Sequence, residues 1–199
     1  MTMYCKHLNI QFDPVSDNSA WHSFGANYDS VDLTYKDISD ECLAWLDSIN
    51  LKPITCSMLT IFPDKIPQIV IDSPVCEQDN HTRMYWIYDA PVTLKTYKVN
   101  HPLGIDNYDK LVGTKPHGEE DNFTNQFTGW FPKPELLVQT GEYIIEPNTC
   151  VMVNAGSPIV AVASTNMRSK VFAIGIVEKN SLTHNGNGMP YEEAIKYVV

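Results

Sequence analysis

Few residues in this chain have the types and spacing that chemistry requires. Asp72 ends the apolar run QIVID and precedes Ser73-Pro74, so it could serve as an acid or a ligand, or accept backbone hydrogen bonds in a turn. Arg168 could grip a small carboxylate through its two-pronged guanidinium, pair with a structural acid, or face solvent. His81 follows Asp72 by nine residues and reads as a surface or loop residue, while His101 and His117 lie in a long connecting segment without ligand spacing. The cysteines (Cys5, Cys42, Cys56, Cys76, Cys150) are odd in number, widely spaced and lack any C-x-x-C pair, which indicates neither a disulfide framework nor a zinc ribbon. No G-x-S-x-G, H-E-x-x-H, P-loop or dinucleotide fingerprint occurs, and Gly186-Asn187-Gly188 is a turn too short to cradle phosphate.

The elements that would position these residues are mostly strands. A length of 199 residues suits one domain, and 43% hydrophobic with 11% aromatic residues is well above what a disordered chain carries. Residues 1–50 read as an α-containing lead-in. Its clearest element is DISDECLAWLDSIN, with Cys42, Trp45, Leu46 and Ile49 at helical spacing, Asp37 or Ser39 available as a cap, and Asp40 and Glu41 in the first turn. From residue 53 the pattern becomes nine short β-branched and aromatic runs: ITCSMLTIF, QIVID, RMYWIYD, VTLKTYKV, ELLVQTG, EYIIEP, CVMVN, IVAVAS and KVFAIGIV. With no helical pattern between them, they predict a sandwich or barrel rather than a βαβ sheet. In MYWIY, alternation puts Met84, Trp86 and Tyr88 on one face and Tyr85 and Ile87 on the other. The tail, 179–199, ends in a short helix in MPYEEAIKYVV that starts at Pro190, with Ile195 and Val198 on one side.

The order of parts, a helix, LKPITCSMLTIFPDKIPQIVIDS, a central pair of strands, a gap, and PNTCVMVNAGSPIVAVASTNMRSKVFAIGI, resembles the iron(II)/2-oxoglutarate dioxygenase family, particularly its compact versions in tailed bacteriophages. The resemblance covers roughly 52–178 and implies a single mainly β domain over 1–199, a double-stranded β-helix or jelly roll with a helical lead-in and a short C-terminal helix. In that family a His-x-Asp and a distal His hold iron, and an Arg grips the oxoglutarate. Carried over residue by residue, the His-x-Asp slot falls on Val70-Ile71-Asp72 and the distal His slot, after Asn154-Ala155-Gly156-Ser157-Pro158, on Ile159. Asp72 and Arg168 match the family's Asp and Arg, whereas Lys170 stands where a small hydroxyl is usual. Val and Ile offer no lone pair, so one carboxylate is left for a metal site that needs three ligands.

The resemblance therefore implies the fold without the activity: a catalytically inactive module without cofactor or metal, with a structural or interaction role in a virion or in the host. Two other readings stay open. One is a working oxygenase that uses Asp72 with loop histidines for metal and Arg168 for co-substrate; the other is a metal-free dicarboxylate sensor built on Arg168. A formal charge of −10 with 14 scattered basic residues argues against nucleic acid as a partner. No segment reaches the apolar length of a membrane span, and the amino terminus lacks a basic region followed by an apolar run, so the expected location is a reducing cytoplasm, or a virion formed there. The expected partner is another protein or a second copy of the chain. Its expected contact surface is the insertion 100–134, where Phe123, Phe127, Trp130 and Phe131 supply apolar anchors.

Overall fold

The computed structural model describes residues 5–17, 30–65, 69, 82–99, 134–180 and 189–198. In chain order the elements are β1 (Cys5–Leu8), β2 (Ser30–Asp32), α1 (Asp40–Ser48), β3 (Leu51–Ile61), β4 (Thr82–Tyr88), β5 (Val92–Val99), β6 (Leu137–Ile145), β7 (Thr149–Asn154), β8 (Ile159–Ala163), β9 (Ser169–Glu178) and α2 (Tyr191–Ala194). The strands form two sheets, ordered β1-β7-β4-β9-β3-β2 and β6-β5-β8, and every pairing within them is antiparallel. From β4 onward the chain steps between sheets: β4 large, β5 and β6 small, β7 large, β8 small, β9 large. That alternation is the winding of a jelly roll, and the protein is a mainly β, two-sheet fold of this type.

Strand alternation sorts the apolar residues into two cores, one on each face of the large sheet. On the outer face, Met84, Trp86, Met152, Phe172 and Ile174 pack with Cys42 and Leu46 of α1 and with Tyr191 and Ala194 of α2. On the inner face, Tyr85, Ile87, Val151, Val153, Val171 and Ala173 meet the small sheet, which contributes Val92, Leu94, Ile145 and Ile159. Met84 and Trp86 thus oppose Tyr85 and Ile87 as the alternation in MYWIY requires, with Tyr88 half-buried on the Trp86 side.

Helix α1 starts where the sequence signals it. Ser39 Oγ accepts from Cys42 N at 3.2 Å, and Asp40 and Glu41 sit in the first turn, where the helix dipole favours carboxylates. Asp37, the other candidate cap, belongs to the preceding 3-10 turn instead, accepting from Thr34 N at 2.7 Å and Thr34 Oγ1 at 2.8 Å. The tail helix follows Pro190 and is tied to the sheet. Thr82 Oγ1 donates to Met189 O at 2.6 Å, and Lys6 Nζ donates to Val198 O.

Three features depart from the run-by-run reading. The lead-in also contributes β1 and β2, which form the two edges of the large sheet, because each finds a partner far along the chain in β7 and β3. ELLVQTG and EYIIEP form one strand, β6, with Thr140 as an extra residue opposite the Thr96–Tyr97 step of β5. QIVID, apart from Ile69, and the insertion up to 133 lie outside the described residues.

Gly141 keeps β6 continuous. A Cβ there would stand 2.7 Å from Tyr143 Oη and 2.9 Å from Thr96 Oγ1, and Thr96 is fully buried and shares a 3.0 Å hydrogen bond with Thr140. Gly141→Ala should therefore destabilise the domain by about 1–3 kcal/mol, as overpacking does, in urea unfolding. An unchanged midpoint would show that the Tyr143 ring swings away at no cost.

Candidate functional site

The two ends of the roll differ chemically. At one end β7 hands over to β8 and β4 begins, with Thr82 opposite Asn154 and Thr96 opposite Ile159. Ile159 is the first residue of β8, is 3% exposed, and lies in the inter-sheet core. It shares a buried cluster with Leu94, Val151, Val153 and Ala155, and the buried polar residues Thr82, Arg83, Thr96 and Asn154 belong to the same end of the roll. Val70 and Asp72, the other positions of the family resemblance, lie outside the described residues, as do His81, His101, His117, Phe123, Phe127, Trp130 and Phe131.

Arg168 is at the opposite end. It closes the turn between β8 and β9 and is exposed, while Val171 and Ala173 of β9 point into the inter-sheet core. The structure therefore separates Ile159 and Arg168 to the two ends of β8. Arg168 lines an open cleft of about 430 Å3 with Asp89, Met167 and Lys170. Lys170 Nζ lies 3.9 Å from Asp89 Oδ2 across the cleft, and Asp89 holds a left-handed backbone (φ 67°), which an aspartate tolerates better than most residues.

The cleft walls are firmly tied. Ser164 N donates to Pro91 O at 3.2 Å, the hydroxyls of Thr93 and Ser164 share a 2.6 Å hydrogen bond, and Ser169 Oγ donates to Tyr88 O. These bonds join the β4–β5 turn to the β8–β9 turn and hold the two sides of the cleft together.

One buried charge escaped the reading of the sequence. Arg83, 2% exposed, stands opposite Val153 in the β4–β7 ladder and so shares its inward face, at the end where β8 begins. It is engaged by other groups, as a guanidinium out of water must be, because its burial costs several kcal/mol unless compensated. Extending the MYWIY alternation back by one residue, in phase with Tyr85 and Ile87, would have found it.

Three buried thiols are held neutral. Burial pushes the Cys5 thiol up to about 12; burial, and secondarily Asp13, does the same to Cys42. Burial, then Cys42 and Cys5, drives Cys150 well above its ordinary value. Nucleophiles and metal ligands need the thiolate, which these three sites disfavour at neutral pH. Among the described residues, no group of three His, Cys, Asp or Glu side chains is placed to share a metal ion, and no helix is long and apolar enough to cross a membrane.

No protein-family model matches the chain, and neither does any curated protein. Similar solved structures include the non-heme alpha ketoglutarate dependent carbocyclase SnoK from nogalamycin biosynthesis, at 12% identity over 75% of this chain and 62% of that one, with a TM-score of 0.39. E. coli ycfD is 10% identical over 89% of this chain and 50% of its own, with a TM-score of 0.41. The alpha ketoglutarate dependent epimerase SnoN, from the same biosynthesis, is 10% identical over 75% and 65%, with a TM-score of 0.37. The chain thus spans between half and two thirds of the length of these proteins. The likenesses are remote, and the jelly-roll assignment rests on this chain's own strand order.

Proposed function

We propose that this chain is a non-catalytic member of the oxygenase-like jelly-roll group, of the compact type found in tailed bacteriophages, and that it acts as a structural or interaction module in a virion or host cytoplasm. The observation that carries the reading is the burial of Ile159 between the sheets. Where the resemblance puts a metal-binding histidine stands Ile159, 3% exposed and part of the inter-sheet core. Ferrous iron needs lone-pair donors, and a buried isoleucine side chain supplies none. By the same resemblance Val70 is a second aliphatic residue at a ligand position. The partner-facing surface in this reading includes the insertion, with Phe123, Phe127, Trp130 and Phe131 as its anchors, since buried aromatics tend to dominate interface energetics.

The test is anaerobic loading with iron(II), desalting, and measurement of bound iron and of 2-oxoglutarate turnover. We expect no more iron than a generic acidic surface retains, and no turnover. Stoichiometric, chelator-sensitive iron with turnover would overturn the proposal in favour of an oxygenase with a non-standard site. A metal-free arm with 2-oxoglutarate alone addresses the sensor reading, because a ligand that binds only the native state must raise its melting temperature.

A further inference from the structure

The cleft between the β4–β5 and β8–β9 turns has the chemistry of a contact surface. We propose that it docks an acidic segment of a protein partner, with Arg168 receiving a carboxylate and Met167 packing against an adjoining apolar side chain. The inference rests on the interaction-module reading and names one of that module's surfaces.

Charge complementarity selects the occupant. The chain carries a formal charge of −10, yet the stretch 149–177 contains no Asp or Glu and two cations, Arg168 and Lys170. Asp89 offsets Lys170 across the cleft, and no ion pair among the described residues engages Arg168. The cleft therefore presents one uncommitted guanidinium, the side chain best shaped to take a carboxylate through two parallel hydrogen bonds. The chain's net charge of −10 weakens long-range attraction of an acidic segment, so docking there depends on the local guanidinium.

Shape and magnitude favour a segment over a free small anion. Sites for small molecules enclose most of their ligand, whereas this cleft is open and a solvent-exposed ion pair contributes only about 0–1 kcal/mol. A free anion would gain too little there, but a segment adds contacts beside the cleft. Met167 is 61% exposed and adjoins Arg168, and both residue types are enriched in the buried parts of protein interfaces. The hydrogen bonds that tie the two turns together leave little ordering cost to be met on binding.

The probe is a short, end-capped, fluorescently labelled peptide alternating glutamate and leucine, compared by anisotropy with its glutamine–leucine counterpart. Each is titrated with the full chain and with Arg168→Ala, Arg168→Lys and Met167→Ala at low salt. We expect the glutamate peptide to bind, and to lose about threefold to fivefold in affinity, up to ~1 kcal/mol, with Arg168→Ala or when glutamine replaces glutamate. Arg168→Lys should fall in between, since it keeps the charge without the planar fork, and Met167→Ala should weaken binding severalfold. Circular dichroism checks the fold of each variant, and if Arg168→Ala fails to fold, Arg168→Lys decides. Equal binding of the two peptides, no binding of the glutamate peptide, or full affinity after losing Arg168 would overturn the proposal. So would displacement of the peptide by free succinate at equal concentration, which would assign the cleft to a small anion. Iron content is independent of every arm, so failure here leaves the non-catalytic reading standing, and stoichiometric iron would remove that reading without moving these affinities.

Discussion

Replacing Phe172 with alanine should cost about 3–5 kcal/mol of unfolding free energy, the usual range for deleting a fully buried aromatic ring. Phe172 lies in β9, between β4 and β3, opposite Trp86 on one side and Met58 on the other. It is 0% exposed, and its ring centroid is 5.9 Å from that of Trp86 at a tilted 50°, a favourable aromatic geometry. It also belongs to the core shared by Cys42 and Leu46 of α1 and Tyr191 and Ala194 of α2, so the void would open where the sheet meets both helices. Collapse into that void is hindered, because the hydrogen-bonded ladders on both sides of β9 hold the backbone apart. Urea unfolding followed by circular dichroism measures the loss. The control is Ile144→Ala on edge strand β6, 62% exposed, which should stay within about 0.5 kcal/mol of the parent. A loss below about 2 kcal/mol for Phe172→Ala would mean that the helices do not pack on the large sheet as described.

A second large effect is expected at alkaline pH. Burial raises Cys5 and Cys42 from 9.0 to about 12 and moves Cys150 well above 9.0. A group whose folded pKa exceeds its unfolded one contributes its stability in full below the unfolded value, and loses it as pH rises toward the folded value. The window therefore opens near pH 9. Each thiol removes roughly 1 kcal/mol per pH unit above it, because the unfolded chain releases protons that the native core retains. Burial raises the phenols of Tyr88 and Tyr191 as well, and Tyr88 is further held protonated by its 2.7 Å hydrogen bond to Asp13 Oδ1, so both join above pH 10. Against a total stability of about 5–15 kcal/mol, the loss is a large share of the whole as pH approaches 12. A pH series of urea midpoints should be flat below pH 9 with respect to these groups and fall steeply above it. Cys42→Ala should make the fall shallower. A native state that persists through pH 12 with no slope would show that the thiols are not buried as placed.

Much of the local architecture was legible in the residues themselves. Alternation in 84–88 assigned Met84 and Trp86 to one face and Tyr85 and Ile87 to the other, because neighbouring side chains on a pleated strand must point to opposite sides. Ser39 marked the start of α1 and Pro190 that of α2, since caps and prolines act on the turn beside them. Matters that depend on distant partners were decided only by the tertiary structure. A four-residue β1 carries too little pattern to be seen, and exists because Cys5–Leu8 pairs with 150–153. ELLVQTG and EYIIEP, read as two runs, are one strand because Gly141 pairs with Thr96 and the ladder to β5 continues on both sides of it. Ile159 and Arg168 are nine residues apart in the sequence, yet the first is enclosed between the sheets and the second stands in solvent at the far end of β8. The cleft brings Asp89 to Lys170 from turns about eighty residues apart. Side-chain direction along a strand follows from neighbouring residues, whereas burial and juxtaposition follow from which strands pair, and that choice is settled by the packing of the whole core.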